Sequence, residues 1–132
     1  MNESAPTILY LDDEACCLDV FQQMFGGEYD IRTATNAAEA RDALAARAAD
    51  IVISDQNMPD CEGLEFLREV ASVYPESCRA LLSGNVRAGD IFGQIGKGVV
   101  DVFIAKPWTP QTMSQALERA GLCQSDGARR SG

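Results

Sequence analysis

Short apolar runs alternate along this chain with longer segments whose apolar residues recur every three or four positions. TILYL at 7–11 and the apolar run at 50–54 have the length and continuity of strands buried on both faces. Residues 29–34 predict a weaker strand, 78–82 a fourth and 99–105 a fifth. Between them, residues 14–25 place Leu18, Phe21, Met24 and Phe25 at helical spacing, and Gly26-Gly27 stops the pattern. Asn36 reads as an N-cap with Glu39 three residues on, a capping box opening a helix over 37–48. Residues 63–73 put Leu64, Leu67, Val70 and Ala71 on one helical face before Pro75 ends the run, and 110–121 read as a final helix. The stretch 86–98 carries Gly89, Gly93, Gly96 and Gly98. Each interior glycine costs a helix about 1 kcal/mol relative to alanine, so a fourth helix there is expected to be short, frayed or mobile. Propensity alone leaves open whether it is a poor helix held by packing or a segment built to shift.

Strand-helix alternation repeated five times predicts an α/β fold of three layers, a doubly wound parallel sheet with helices on both faces. Right-handed crossovers leave few orders for five strands, and the flavodoxin-like order 2-1-3-4-5 is a common one. In that order the first and third strands are neighbours at the point where the winding reverses. One domain is expected over residues 5–121, with 122–132 a flexible tail or the start of a linker.

The polar residues that end the apolar runs then acquire meaning. TILYL runs into Asp12-Asp13, the third strand into Asp55, RALL into Ser83 and DVFIA into Lys106. All fall on the sheet edge where doubly wound folds build sites. Three carboxylates in one pocket raise each other's pKa unless a cation sits among them. Oxygen ligands suit Mg²⁺, with Mn²⁺ an alternative. A carboxylate so held can act as a nucleophile towards phosphorus. Lys106 and Ser83 would each take a phosphoryl oxygen, and Gly84 leaves room for the group. Singly, each residue has a plainer reading: a solvated acid pair, a turn cap, a Ser-Gly turn, a surface lysine before a proline. Their order and common placement at four strand ends outweigh those readings. On the fifth strand, Val100, Val102, Ile104 and Lys106 share one parity, and Asp101, Phe103 and Ala105 the other. The charge on the second side suggests that Phe103 lies near solvent, the plainer reading being a core aromatic.

Composition narrows the class. Twenty acidic against 11 basic residues give a net charge of −9, which disfavours direct binding to nucleic acid or an anionic membrane. No histidine is present, so a Cys/His zinc site is excluded. The five cysteines form no CxxC pair and read as reduced, mostly buried apolar residues of a cytoplasmic protein. No segment resembles a secretion signal or a membrane span.

LYLDDE at 9–14, SDQNMPDCEG at 54–63, LLSG at 81–84 and IAKPW at 104–108 resemble the receiver domain of two-component response regulators, the domain of chemotaxis regulators. The resemblance implies that Asp55 is the phosphoacceptor and that Asp12 and Asp13 are the acidic pair around Mg²⁺. It implies that Asn57 offers the metal its backbone carbonyl, Ser83 is the switch hydroxyl, Phe103 the switch aromatic and Lys106 the lysine that completes the site. It implies a cis peptide before Pro107, and positions that tune dephosphorylation at Asn57 and Asn85. A histidine kinase or phosphotransfer protein would be the donor. The 86–108 surface would switch partner binding, and the face of the fourth helix, fifth strand and fifth helix would meet an output domain or a protein partner, with a homodimer a further possibility. On this reading the chain is a signalling module and no enzyme beyond its own phosphorylation and dephosphorylation. It would stand alone or come from a larger protein such as an HD-GYP-type cyclic-di-GMP phosphodiesterase or a hybrid kinase. An aspartyl-phosphate phosphatase of the haloacid dehalogenase type is disfavoured, because its DxDx[TV] nucleophile follows the first strand, where this chain reads Asp12-Asp13-Glu14-Ala15-Cys16. A flavodoxin-like flavin protein would need a phosphate loop at that same place.

Overall fold

A computed structural model describes residues 6–58, 60–84 and 98–131, with side chains to residue 121. The expected fourth helix within 86–98, and Asn85, lie outside the described residues apart from Gly98. Among the described residues nine elements follow in order: β1 (Thr7–Leu11), α1 (Ala15–Phe25), β2 (Asp30–Ala34), α2 (Ala37–Ala46), β3 (Ile51–Asp55), α3 (Gly63–Val73), β4 (Cys78–Ser83), β5 (Val102–Ala105) and α4 (Pro110–Ser131). All strand pairs are parallel, and the sheet order is β2-β1-β3-β4-β5, as expected for a flavodoxin-like doubly wound fold.

Strand alternation divides the core into two layers. Ile8, Tyr10, Ile51, Ile53, Ala80, Leu82, Val102 and Ile104 face Leu18, Phe21 and Phe25 of α1 and Met113, Leu117 and Ala120 of α4. Leu9, Leu11, Val52 and Leu81 face Ala37, Ala40 and Leu44 of α2 and Phe66, Leu67 and Val70 of α3. β1, β3 and β4 are buried throughout, which is why their sequences read as unbroken apolar runs.

Local chemistry explains several boundaries. Asn36 accepts the Glu39 amide at 2.9 Å and caps α2. The Glu39 carboxylate reaches back one residue further than a capping box requires, to the amide and hydroxyl of Thr35. α4 opens on Pro110, with the Thr109 hydroxyl accepting the Thr112 amide at 3.1 Å.

Other expectations change. Met24 is 40% exposed, because the stripe Leu18, Phe21, Phe25 is centred about 90° away from it around the helix. On α3, Gly63 and Phe66 join Leu67 and Val70 in the buried face, while Leu64 and Ala71 are only half-buried. β5 begins at Val102, so Val100 packs with the α2/α3 layer and does not share a face with Val102. α4 runs on past Gly121 to Ser131, beyond the 110–121 expected for the final helix; a Cβ at Gly121 would meet nothing within 4 Å, so that glycine marks no tight stop. Of the cysteines with described side chains, only Cys78 is buried; Cys16 is exposed, and Cys17 and Cys61 are half-buried.

Candidate functional site

Parallel pairing brings the ends of β1, β3, β4 and β5 to one edge. Two bonds beyond the strands hold that edge in register: Gln56 donates its amide to Leu82 O at 2.9 Å, and Lys106 donates its amide to Ser83 O at 3.1 Å. Asp12, Asp55 and Lys106 continue the parity of Tyr10, Ile53 and Ile104, so all three emerge on the α1/α4 side. Ser83 and Phe103 have the opposite parity.

Carboxylate oxygens of Asp12, Asp13 and Asp55 lie within 4.8 Å of one another. Asp12 is 0% exposed and Asp55 2%, while Asp13 stands in solvent. Lys106 Nζ donates to Asp55 Oδ2 at 2.9 Å and lies 3.8 Å from Asp12 Oδ2. The lysine is thus the cation that three carboxylates in one pocket require. Burial pushes the Asp12 carboxyl above the usual carboxylate range. The Glu14 amide and the Tyr10 hydroxyl, donating at 3.0 and 2.9 Å, and the nearby Lys106 charge pull it back. An all-oxygen set of three carboxylates, two of them buried, fits a hard divalent cation.

The remaining expected residues are near at hand. Ser83 is buried at the end of β4, one residue beyond Leu82, the partner of Asp55 across the sheet. A Cβ on Gly84 would stand 3.3 Å from Lys106 Cβ, so glycine permits the close approach of these two strand ends. Asn57 is exposed, and its amide donates to Asp55 Oδ1 at 3.4 Å. The Lys106-Pro107 peptide is cis, as expected. Phe103 is half-buried beside a groove of about 270 Å³ shared with Pro107, Thr112, Gln115, Ala116 and Arg119.

Four residues supporting the site escape the sequence reading. Tyr10 bonds Asp12 from inside an apolar run. The Gln56 side chain accepts the Leu64 amide at 2.9 Å and donates to Glu62 at 3.0 Å, tying the residue after Asp55 to the start of α3. Gly63 lies so close to the Asp55 carbonyl that any Cβ would collide with it. Asp60 accepts the Ala37 and Ala38 amides at 3.0 and 3.2 Å, so the loop after β3 caps a different helix, α2. The only local signal for any of these is Gly63 as turn punctuation.

With this geometry in view, the comparison with known families is decisive: the response regulator receiver domain matches residues 8–118. The chain belongs to that family. This receiver is 33% identical over 126 residues to the hydrogenase transcriptional regulatory protein HoxA of Cupriavidus necator, covering 92% of this chain and 26% of HoxA. It is 32% identical over 121 residues to the C4-dicarboxylate transport transcriptional regulatory protein DctD of Rhizobium meliloti, covering 89% and 25%. The receiver thus spans about a quarter of the length of these relatives. Among solved structures, the signal receiver domain of an HD domain-containing protein from Pseudomonas fluorescens Pf-5 superimposes with a TM-score of 0.85 at 31% identity, covering 96% of this chain and 93% of that one. Vibrio cholerae chemotaxis protein CheY4 gives 0.79 at 26% identity, covering 89% and 99%. Among the described residues no helix is long and apolar enough to cross a membrane.

Proposed function

We propose that this receiver accepts a phosphoryl group on Asp55 from the phosphohistidine of a histidine kinase or phosphotransfer protein in the cytoplasm. The observation that carries the reading is the Lys106 ammonium 2.9 Å from Asp55, at the edge of a pocket where three carboxylates converge. An Asp55 oxygen attacks phosphorus, the P–N bond breaks, and the bonding pair leaves with the imidazole nitrogen. Mg²⁺, or Mn²⁺ in its place, would be held by Asp12, Asp13 and Asp55 with the Asn57 carbonyl, and supplies the charge that neutralises phosphoryl oxygens. Lys106 pairs with a phosphoryl oxygen in place of Asp55 Oδ2, and Ser83 donates its hydroxyl to another. Phe103 shares the strand face of Ser83, so a shift of that hydroxyl reaches the Phe103 groove through the β4–β5 pairing Leu81–Phe103 and Ser83–Ala105. That face would meet an output domain, a protein partner or a second copy. Its relatives here include transcriptional regulators and an HD domain-containing protein, so the output is proposed as a docked domain or protein and not as one activity. The receiver turns over no separate substrate and binds no nucleic acid directly.

Incubation with Mg²⁺ and acetyl phosphate, read by intact mass, tests this. Wild type should gain one labile phosphoryl group and Asp55→Asn none. If wild type gains nothing, or the variant gains equally, the aspartyl phosphate is ruled out.

A further inference from the structure

The side chains of Glu14, Cys16 and Cys17 are not used in the proposed phosphoryl chemistry, yet they converge. A Sγ atom of each cysteine and a carboxylate oxygen of Glu14 all lie within 4.8 Å of one another at the start of α1. Glu14 precedes the helix but makes no side-chain cap; its Oε2 instead faces Cys17 Sγ at 3.7 Å. Cys16 is exposed and Cys17 half-buried, so these thiols are not core filler. They open onto a groove of about 590 Å³ whose other walls include Val20, Met24, Trp108 and, on the side of the carboxylate pocket, Lys106. That groove offers access from solvent and room for a bound water.

The structure assigns to Glu14, Cys16 and Cys17 a site for a thiophilic divalent cation of the zinc or cadmium kind, adjoining the all-oxygen pocket but built from different donors. Two sulfurs and one carboxylate oxygen are the donor set such ions take, with a fourth position left for water. Ligands about one cation stand roughly 3.5–4 Å apart at ordinary zinc-ligand distances, so the exposed side chains need close by only about 1 Å. Binding releases the thiol protons to solvent, and the cation takes their place beside Glu14. The Cys17 thiol is pushed up to about 11, by burial first and then by the charges of Asp12 and Glu14. Hard and soft ligands sort the two sites: Mg²⁺ saturates the carboxylate pocket and leaves thiols untouched.

The test uses the full chain, reduced with a phosphine and held in excess Mg²⁺. Cd²⁺ is titrated while the ultraviolet thiolate-to-cadmium charge-transfer band is followed, and Zn²⁺ is then used as competitor. One equivalent should bind and protect Cys16 and Cys17, but not Cys61, from alkylation. Cys16→Ser and Cys17→Ser should each weaken binding by at least about tenfold, since losing a ligand costs no less than losing its hydrogen-bonded support. Cys16→Ser changes an exposed side chain and should take up phosphate from acetyl phosphate as wild type does. Asp55→Asn should keep the Cd²⁺ site, which separates this inference from the phosphoacceptor reading. Equal Cd²⁺ binding by the cysteine variants, protection of Cys61 in place of Cys16 and Cys17, or no charge-transfer band at millimolar Cd²⁺ would each overturn it.

Discussion

Lys106 serves two carboxylates unequally, with a hydrogen bond to Asp55 and a longer approach to Asp12. Its own burial opposes the ammonium charge, but the bond to Asp55 and the charges of both aspartates outweigh that and hold its pKa above the ordinary lysine value. A cation whose folded pKa is raised contributes stability that is fully present below its unfolded pKa and lost as pH rises through the folded one. The Lys106 contribution should therefore be complete below about pH 10 and fall away above it. Lys106→Met should lose roughly 2 kcal/mol at neutral pH, the value of a charge-assisted hydrogen bond, and the gap to wild type should narrow in alkali. Urea unfolding at pH 7 and above pH 10 checks both. Lys106, Asp12-Asp13 and Asp55 were legible because each interrupts an apolar run at a strand end. Tyr10 was not, because nothing local distinguishes a core tyrosine from one whose hydroxyl reaches a carboxylate two residues on.

At the scale of elements, the junction between β3 and α3 controls how Asp55 is presented. Gly63 opens α3 directly against the Asp55 backbone and donates its amide to Gln56 O at 2.9 Å. Gly63→Ala must push the helix start away from the strand end. The variant should lose about 1–3 kcal/mol, as overpacked sites do, and take up phosphate from acetyl phosphate more slowly. Circular dichroism melts and a mass time course read the two effects. A second junction lies at the other end of the sheet. The buried guanidinium of Arg79 donates to the carbonyls of Val99, Ser77 and Gly98 at 2.9, 2.8 and 2.8 Å and lies 3.5 Å from Asp101. It fastens the chain that enters β5 onto β4. Arg79→Met should cost about 3 kcal/mol in urea unfolding, since several buried carbonyls lose their donor together. Such clasps join segments about 20 residues apart, and the Asp60 cap on α2 joins segments 23 apart. Periodicity finds which face of a helix is buried, but a bond between distant segments leaves no trace in either one. The same limit applies at β5: the Arg79 clasp holds the chain just before the strand, and the apolar run there carries no sign of it.

For the whole molecule, strand order was the part of the fold most legible in sequence, because five alternations with right-handed crossovers admit few arrangements. Side-chain exposure on α1 was the least legible: its cysteines and Met24 share the composition of core residues yet face outward. The carboxylate pocket holds three acidic side chains against one lysine, and so keeps a local excess of negative charge. Mg²⁺ that binds only the folded state should therefore raise the melting temperature by several degrees; at a hundred times its Kd the gain is about 2.7 kcal/mol. The shift should vanish with a chelator and in Asp13→Asn/Asp55→Asn, as read by scanning calorimetry at matched ionic strength.

The sheet order also decides which part of the molecule lets go last. β3 is the central strand, flanked by β1 and β4 and buried along its whole length. Its amides should exchange with deuterium only when the entire domain opens, whereas β2 and β5, at the two margins, exchange through smaller openings. Asp55 is the final residue of that central strand. The proposed phosphoacceptor is thus tethered to the slowest-exchanging backbone, and fraying at either margin should leave its chemistry intact.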